Sequence, residues 1–76
     1  MEKKLCKVFR LRDELGCGYL LEEGIPGREF LFPYFTVRGY KGETASELGL
    51  QKGDLVWGVF DDKGNVKEVF PVYFRA

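Results

Sequence analysis

The chain has 76 residues, 45% of them hydrophobic, with 12 Lys and Arg balanced by 12 Asp and Glu. That length makes residues 1–76 a single domain with a modest core, and that hydrophobic content excludes the disordered class. A net charge of zero excludes capture of a polyanion by bulk charge, and the lack of histidine removes the commonest general base and metal ligand.

Short apolar and aromatic runs alternate with Gly, Asp and Asn, the pattern of an all-β barrel or sandwich. KLCKVFRL (4–11) reads as the first strand, RDELG (12–16) as the turn back and CGYLLE (17–22) as the second strand. EGIPG (23–27) sets glycines around a proline and ends regular pairing. REFLFPYFTV (28–37) is the third strand, and the missing donor at Pro33 places it at an edge or a bulge. Phe30 and Phe32 share one face of it, Leu31 and Pro33 the other.

A long connection follows over 38–54. Within it TASE fits a capping box, Thr44 as N-cap and Glu47 reaching back, and Gly49 stops the single helical turn. DLVWGVF (54–60) is the fourth strand, with Leu55, Trp57 and Val59 on one side and Val56 and Phe60 on the other. One side faces the core; the other needs a cover or a partner. Trp57 is read as core or interface. DDKGN (61–65) is a hairpin turn with Gly64 and Asn65 suited to positive φ. VKEVFPVYF (66–74) is the fifth strand, with Val66, Glu68, Phe70 and Val72 on one face and Pro71 at an edge or the strand's end. The expected fold is all-β, a five-stranded antiparallel OB-type barrel with a short helical turn between strands three and four.

The first strand is basic: Lys3, Lys4, Lys7, Arg10 and Arg12 stand against Glu2 alone. Arg38 and Lys41 add positive charge after the third strand, while most acids lie elsewhere. The hairpin sets Cys6 opposite residues near Leu21 and Cys17 opposite residues near Arg10, too far apart for a disulfide, so both read as free thiols. The charged N-terminus does not fit a secretory signal and no apolar run approaches a bilayer's width, so the expected location is cytoplasmic, with no membrane partner.

GCGYL (16–20) followed by EFLFPYF (29–35) resembles the two nucleic-acid-binding motifs of the cold-shock domain family, roughly Lys-Gly-Phe-Gly-Phe-Ile and Val-Phe-Val-His-Phe. LQKGDLVWGVFDDKGN (50–65) is similar to that family's fourth-strand entry and hairpin, so the resemblance covers about residues 4–72. Gly16 and Gly18 stand at the motif glycines, and Tyr19 keeps a ring. Cys17 replaces a ring and Leu15 a lysine. Phe30 and Phe32 fill core-facing valine positions, Leu31 replaces the exposed Phe, Pro33 replaces the His, and Tyr34 keeps the last ring. Arg10, or Phe9 with a one-residue shift, stands at the first-strand Trp, and Tyr40 is similar to a loop Phe.

The resemblance implies weak, largely sequence-independent binding of single-stranded RNA or DNA, in an RNA chaperone or a regulator of transcription or translation. Bases would stack on Tyr19, Tyr34, Tyr40 and Phe9, with Leu31 as an apolar contact, while Lys7, Arg10, Arg12, Arg38 and Lys41 meet phosphates. Arg10 and Arg38 could also stack through their guanidinium planes. The alternative is a protein-interaction or self-associating barrel, a homodimer for instance, that has lost this activity; Leu21, Leu31, Pro33 and Trp57 would be its contacts.

No catalytic residues, metal ligands or cofactor are expected. Glu22–Glu23 and Asp61–Asp62 are neighbours that point apart on a strand, Ser46 has no base nearby in sequence, and GYKG and KGD are turns rather than phosphate cradles.

Overall fold

A computed structural model of the protein describes residues 1–72. Five strands form one curled antiparallel sheet in the order β3-β2-β1-β4-β5: β1 Glu2–Arg12, β2 Cys17–Glu22, β3 Glu29–Pro33, β4 Leu55–Phe60 and β5 Val66–Pro71. A parallel bridge between Val37 and Val69 brings the two edges together, so the sheet is the expected OB-type barrel. Of the expected fifth strand, Tyr73 and Phe74 lie outside the described residues. Among the described residues no helix is long and apolar enough to cross a membrane.

β1 is longer than its apolar run because it is shared. Its first half, Glu2 to Lys7, pairs with β4, and its second half, Cys6 to Arg12, pairs with β2. The ladder slips by one between Val8 and Arg10, leaving Phe9 as the extra residue of a bulge. Inward positions are therefore Cys6 and Val8 before the bulge and Leu11 after it, all packed in or against the core. Cys6 lies opposite Glu22 and Cys17 opposite Arg12, close to the expected register, and both thiols are free.

A second bulge corrects the reading of the last strand. Val59 faces Glu68 but Phe60 faces Val66, so Lys67 is the extra residue. Val66 and Val69 are buried, while Glu68 and Phe70 turn outward. The expected single face of Val66, Glu68 and Phe70 is broken by that one inserted residue.

β3 stops at Pro33, short of the expected residue 37. Pro33 cannot donate, and the chain turns into a 3₁₀ helix, Tyr34–Thr36. Tyr34 N–H donates to the Gly16 carbonyl at 2.8 Å, Val37 N–H to the Tyr34 carbonyl at 3.0 Å, and the Thr36 hydroxyl to the Pro33 carbonyl at 2.6 Å. The long connection carries α1, Ala45–Leu48, with both hydrogen bonds of the Thr44–Glu47 capping box formed and Gly49 left-handed at φ 80°. In the 61–65 turn only Gly64 takes positive φ; Asn65 instead donates its N–H and side-chain amide to Asp61.

The most deeply buried part of the core is Cys6, Val8, Leu20, Phe32, Tyr34, Val56, Phe60 and Val69, with Phe30 tilted against Phe60 at 4.5 Å between ring centres. Burying a ring the size of Phe32 stabilises the barrel by about 1.5–3 kcal/mol. Lys4 closes one end: its Nζ lies 5.6 Å over the Phe30 and Phe60 rings and 3.3 Å from the Glu22 carboxylate. In β4, Val56 and Phe60 point inward, so Leu55, Trp57 and Val59 form the half-buried outer side.

Candidate nucleic-acid interface

The outer face of β3-β2-β1 follows from the pairing. Leu31, Tyr19 and Arg10 form one cross-strand row; Pro33, Cys17 and Arg12 form the next; Glu29, Leu21 and Lys7 form the row on the other side. The Arg10 guanidinium lies 5.9 Å from the Tyr19 ring centre and 6.0 Å from that of Phe9. Phe9 reaches Arg10 because the bulge makes it the unpaired residue next to it. The result is a planar cation near two half-exposed rings, with Leu31, 52% exposed, in the same cross-strand row.

Gly18 shapes this face from below. A Cβ there would sit 2.6 Å from the Arg10 carbonyl oxygen and 2.7 Å from the Phe32 ring, so the strands and the core ring close only over a bare backbone. Gly16 serves the turn, at φ 65°. Both motif glycines thus have structural roles.

The charges sort unevenly. Lys7 and Arg10 are exposed on the face. Arg12 is partly committed, its Nε donating to Glu14 at 2.9 Å. Glu22 turns inward to Lys4, with Arg28 3.8 Å away, but Glu29 stays exposed on the outer face. Neither cross-strand neighbour of Tyr19, Arg10 or Leu31, is acidic.

Four of the expected contacts, Tyr34, Arg38, Tyr40 and Lys41, fall elsewhere. Tyr34 is a core residue, 2% exposed, and cannot offer a ring to a base. Strand alternation carries Phe30, Phe32 and Tyr34 to the same inward side, and the Tyr34 hydroxyl reaches Asp13 Oδ1 at 2.7 Å. Desolvation, and then the Asp13 carboxylate, push its phenol pKa far up. The exposed ring at this end is its neighbour Phe35, at 72%, which the motif comparison passed over and the i, i+2 pattern could have found.

Arg38 is held against β5 rather than beside Tyr19. Its N–H donates to the Val69 carbonyl at 2.9 Å, its Nε and Nη2 donate to Glu68 at 2.8 and 3.2 Å, and its guanidinium carbon lies 4.1 Å over the Phe70 ring. The Glu68 bond raises the Arg38 pKa and lowers that of Glu68. Tyr40 and Lys41 ride on the loop before α1, Tyr40 38% exposed and Lys41 donating its N–H to Glu43. Trp57 lies on the outer side of β4, opposite Leu5 and Phe70, with Lys3 Nζ 4.6 Å over its ring.

No protein-family model matches this chain, and a search of characterised proteins finds no significant relative.

Proposed function

We propose that the protein binds single-stranded RNA or DNA with little sequence preference, in the manner of a cold-shock domain acting as an RNA chaperone or expression regulator. The observation that carries this is the Arg10 guanidinium near both the Phe9 and Tyr19 rings on an open sheet face, with Leu31 and Lys7 exposed in the same and the adjacent row. Flat rings and a flat cation stack any base, and Lys7 and Arg10 supply charge for the phosphates. Each stacked base is worth roughly 1–3 kcal/mol, so a platform of two rings and one guanidinium supports weak binding. With two or three cations in contact, log K should fall against log salt with a slope of about −1.4 to −2.

The test is titration with a short unstructured oligonucleotide, followed by NMR at low and moderate salt. Saturable shifts at Phe9, Arg10 and Tyr19 that weaken with salt are expected. Tyr19→Ala should weaken binding about five- to hundred-fold while leaving the fold intact. An unresponsive wild-type protein overturns the proposal. It would favour the second reading, a protein-interaction or self-associating barrel, which is supported by the half-exposed Leu5, Leu55, Trp57 and Phe70 on the outer side of β1, β4 and β5.

A further inference from the structure

A cleft of about 870 Å³ opens where the connection after α1 meets β4 and β5. Leu50, Leu55, Val56, Phe70 and Pro71 give it apolar walls, and Arg38 stands at its edge. That volume falls in the range of small-ligand sites, which are mostly apolar with a few oriented polar groups.

Arg38 is the oriented group. One face of its guanidinium lies on the Phe70 ring, and two of its N–H groups are spent on Glu68. The side chain nevertheless remains 60% exposed. A guanidinium neutralised by a bidentate carboxylate is a poor phosphate clamp, because its charge and its fork are already used. Its uncovered face keeps the flat, weakly hydrated surface on which rings stack.

We infer that this uncovered face of Arg38 is a second stacking position, taking an uncharged planar nucleobase into a Phe70–Arg38–base sandwich at the mouth of the cleft. The inference deepens the single-strand reading above and rests on it for the source of the base. The two positions are connected. Leu55, in the cleft wall, lies opposite Lys7, and Lys7 lies opposite Leu21 on β2, one row from Tyr19. From β2 to β5 is three strand spacings, about 14 Å, and Lys7 on β1, the first strand crossed, can receive a phosphate. A strand long enough to cross β1 and β4 would use both positions, and a shorter one only the first.

The experiment compares wild type, Arg38→Lys and Tyr19→Ala with a dinucleotide, too short to bridge the two positions, and an oligonucleotide of about ten nucleotides, within the span an OB fold occupies. Arg38→Lys keeps the charge and a partner for Glu68 but has no flat face, and its thermal midpoint is measured as a control for folding. The expected result is an about two- to thirty-fold loss for the long strand in Arg38→Lys, with no change for the short one. Tyr19→Ala weakens both. Wild-type Arg38 Nε–H and Phe70 ring signals that stay unmoved with the long strand, or a long strand that binds Arg38→Lys as it binds wild type, overturn the inference.

Adenosine alone separates the two sources of the base. If wild type ignores every oligonucleotide, the single-strand reading has failed. Adenosine shifts at Arg38 and Phe70 that vanish in Arg38→Lys then assign the cleft to free bases, and silence there overturns the site as well.

Discussion

The Tyr34 hydroxyl donates a 2.7 Å hydrogen bond to Asp13 Oδ1, and the same oxygen accepts the Ala45 N–H at 3.1 Å. One carboxylate thus ties the β1–β2 turn to the end of β3 and to the start of α1. Tyr34 is buried, so its hydroxyl has no ready replacement for this partner. Tyr34→Phe should lower unfolding stability by about 1.5–3 kcal/mol, the range for a hydrogen bond to a charged group. Urea unfolding checks this, and a cycle with Asp13→Asn should show the two changes to be strongly non-additive.

The same contact predicts an acid limb. The Tyr34 hydroxyl first, and then the Ala45 N–H, hold the Asp13 carboxyl below its ordinary value of 3.8. A depressed folded pKa adds stability that is full above the unfolded value and is lost as pH falls through the folded one. Stability measured from neutral pH downward should therefore drop below about pH 4, and the drop should be shallower in Asp13→Asn. Glu47, Asp61 and Glu68 are also depressed, by Thr44, Asn65 and Arg38 respectively, so part of the slope should persist. An identical slope in both proteins would remove Asp13 from the account.

Gly18→Ala should destabilise the barrel although the backbone there is ordinary for a strand. The added methyl would press on the Arg10 carbonyl and the Phe32 ring, at 2.6 and 2.7 Å. Overpacking of this kind costs about 1–3 kcal/mol, and Phe32→Leu in the same chain should recover part of it. Thermal unfolding of the single and double variants decides.

The two thiols should differ in reactivity. Cys6 is fully buried, and desolvation, with Glu22 adding to it, pushes its pKa up to about 11. Cys17 is half-exposed on the outer face. A thiol reagent at neutral pH should label Cys17 readily and Cys6 only on unfolding, so Cys17→Ser should stay unlabelled until denaturant is added. Because the folded pKa is raised, the Cys6 contribution to stability is whole below the unfolded value of 9.0 and is lost as pH climbs toward 11.

Phe35 and Tyr34 are neighbours with opposite fates. Phe35→Ser should change stability by no more than about 0.5 kcal/mol, because the ring is already in water. Its effect should appear in oligonucleotide affinity, as a weakening, since it is an exposed ring two residues beyond Pro33, which ends a row of the outer face. Tyr34→Phe should do the reverse, costing stability and sparing affinity. Paired denaturation and binding curves read both.

Much of this was legible in local sequence. The prolines at 33 and 71 mark edge strands, and TASE followed by Gly49 builds the capped turn. These features rest on groups within a few residues of one another: a missing N–H, a hydroxyl reaching the third residue on, a backbone without Cβ. The hairpin itself was legible from its turn, but the expected register set Cys17 near Arg10, and the bulge at Phe9 brings Tyr19 there instead.

Which side each ring takes was less accessible. Matching EFLFPYF to a motif made Tyr34 a platform, whereas alternation from Phe30 and Phe32 sends it into the core and leaves Phe35 outside. The bulges at Phe9 and Lys67 shift the facing of every residue after them, and neither position carries a glycine or other local bulge signal. A bulge settles the twist and closure of the whole sheet, so it is chosen by packing between strands far apart in the chain.

The sequence by itself determined the strand count, the turns, the cap and the excess of positive charge on β1, because each depends on local backbone chemistry. Only the tertiary structure decided that Arg10 meets both Phe9 and Tyr19, and that Arg38 is spent on Glu68 and set over Phe70. Those contacts include pairs thirty or more positions apart, and they exist only once two bulges and the Val37–Val69 bridge have curled the sheet.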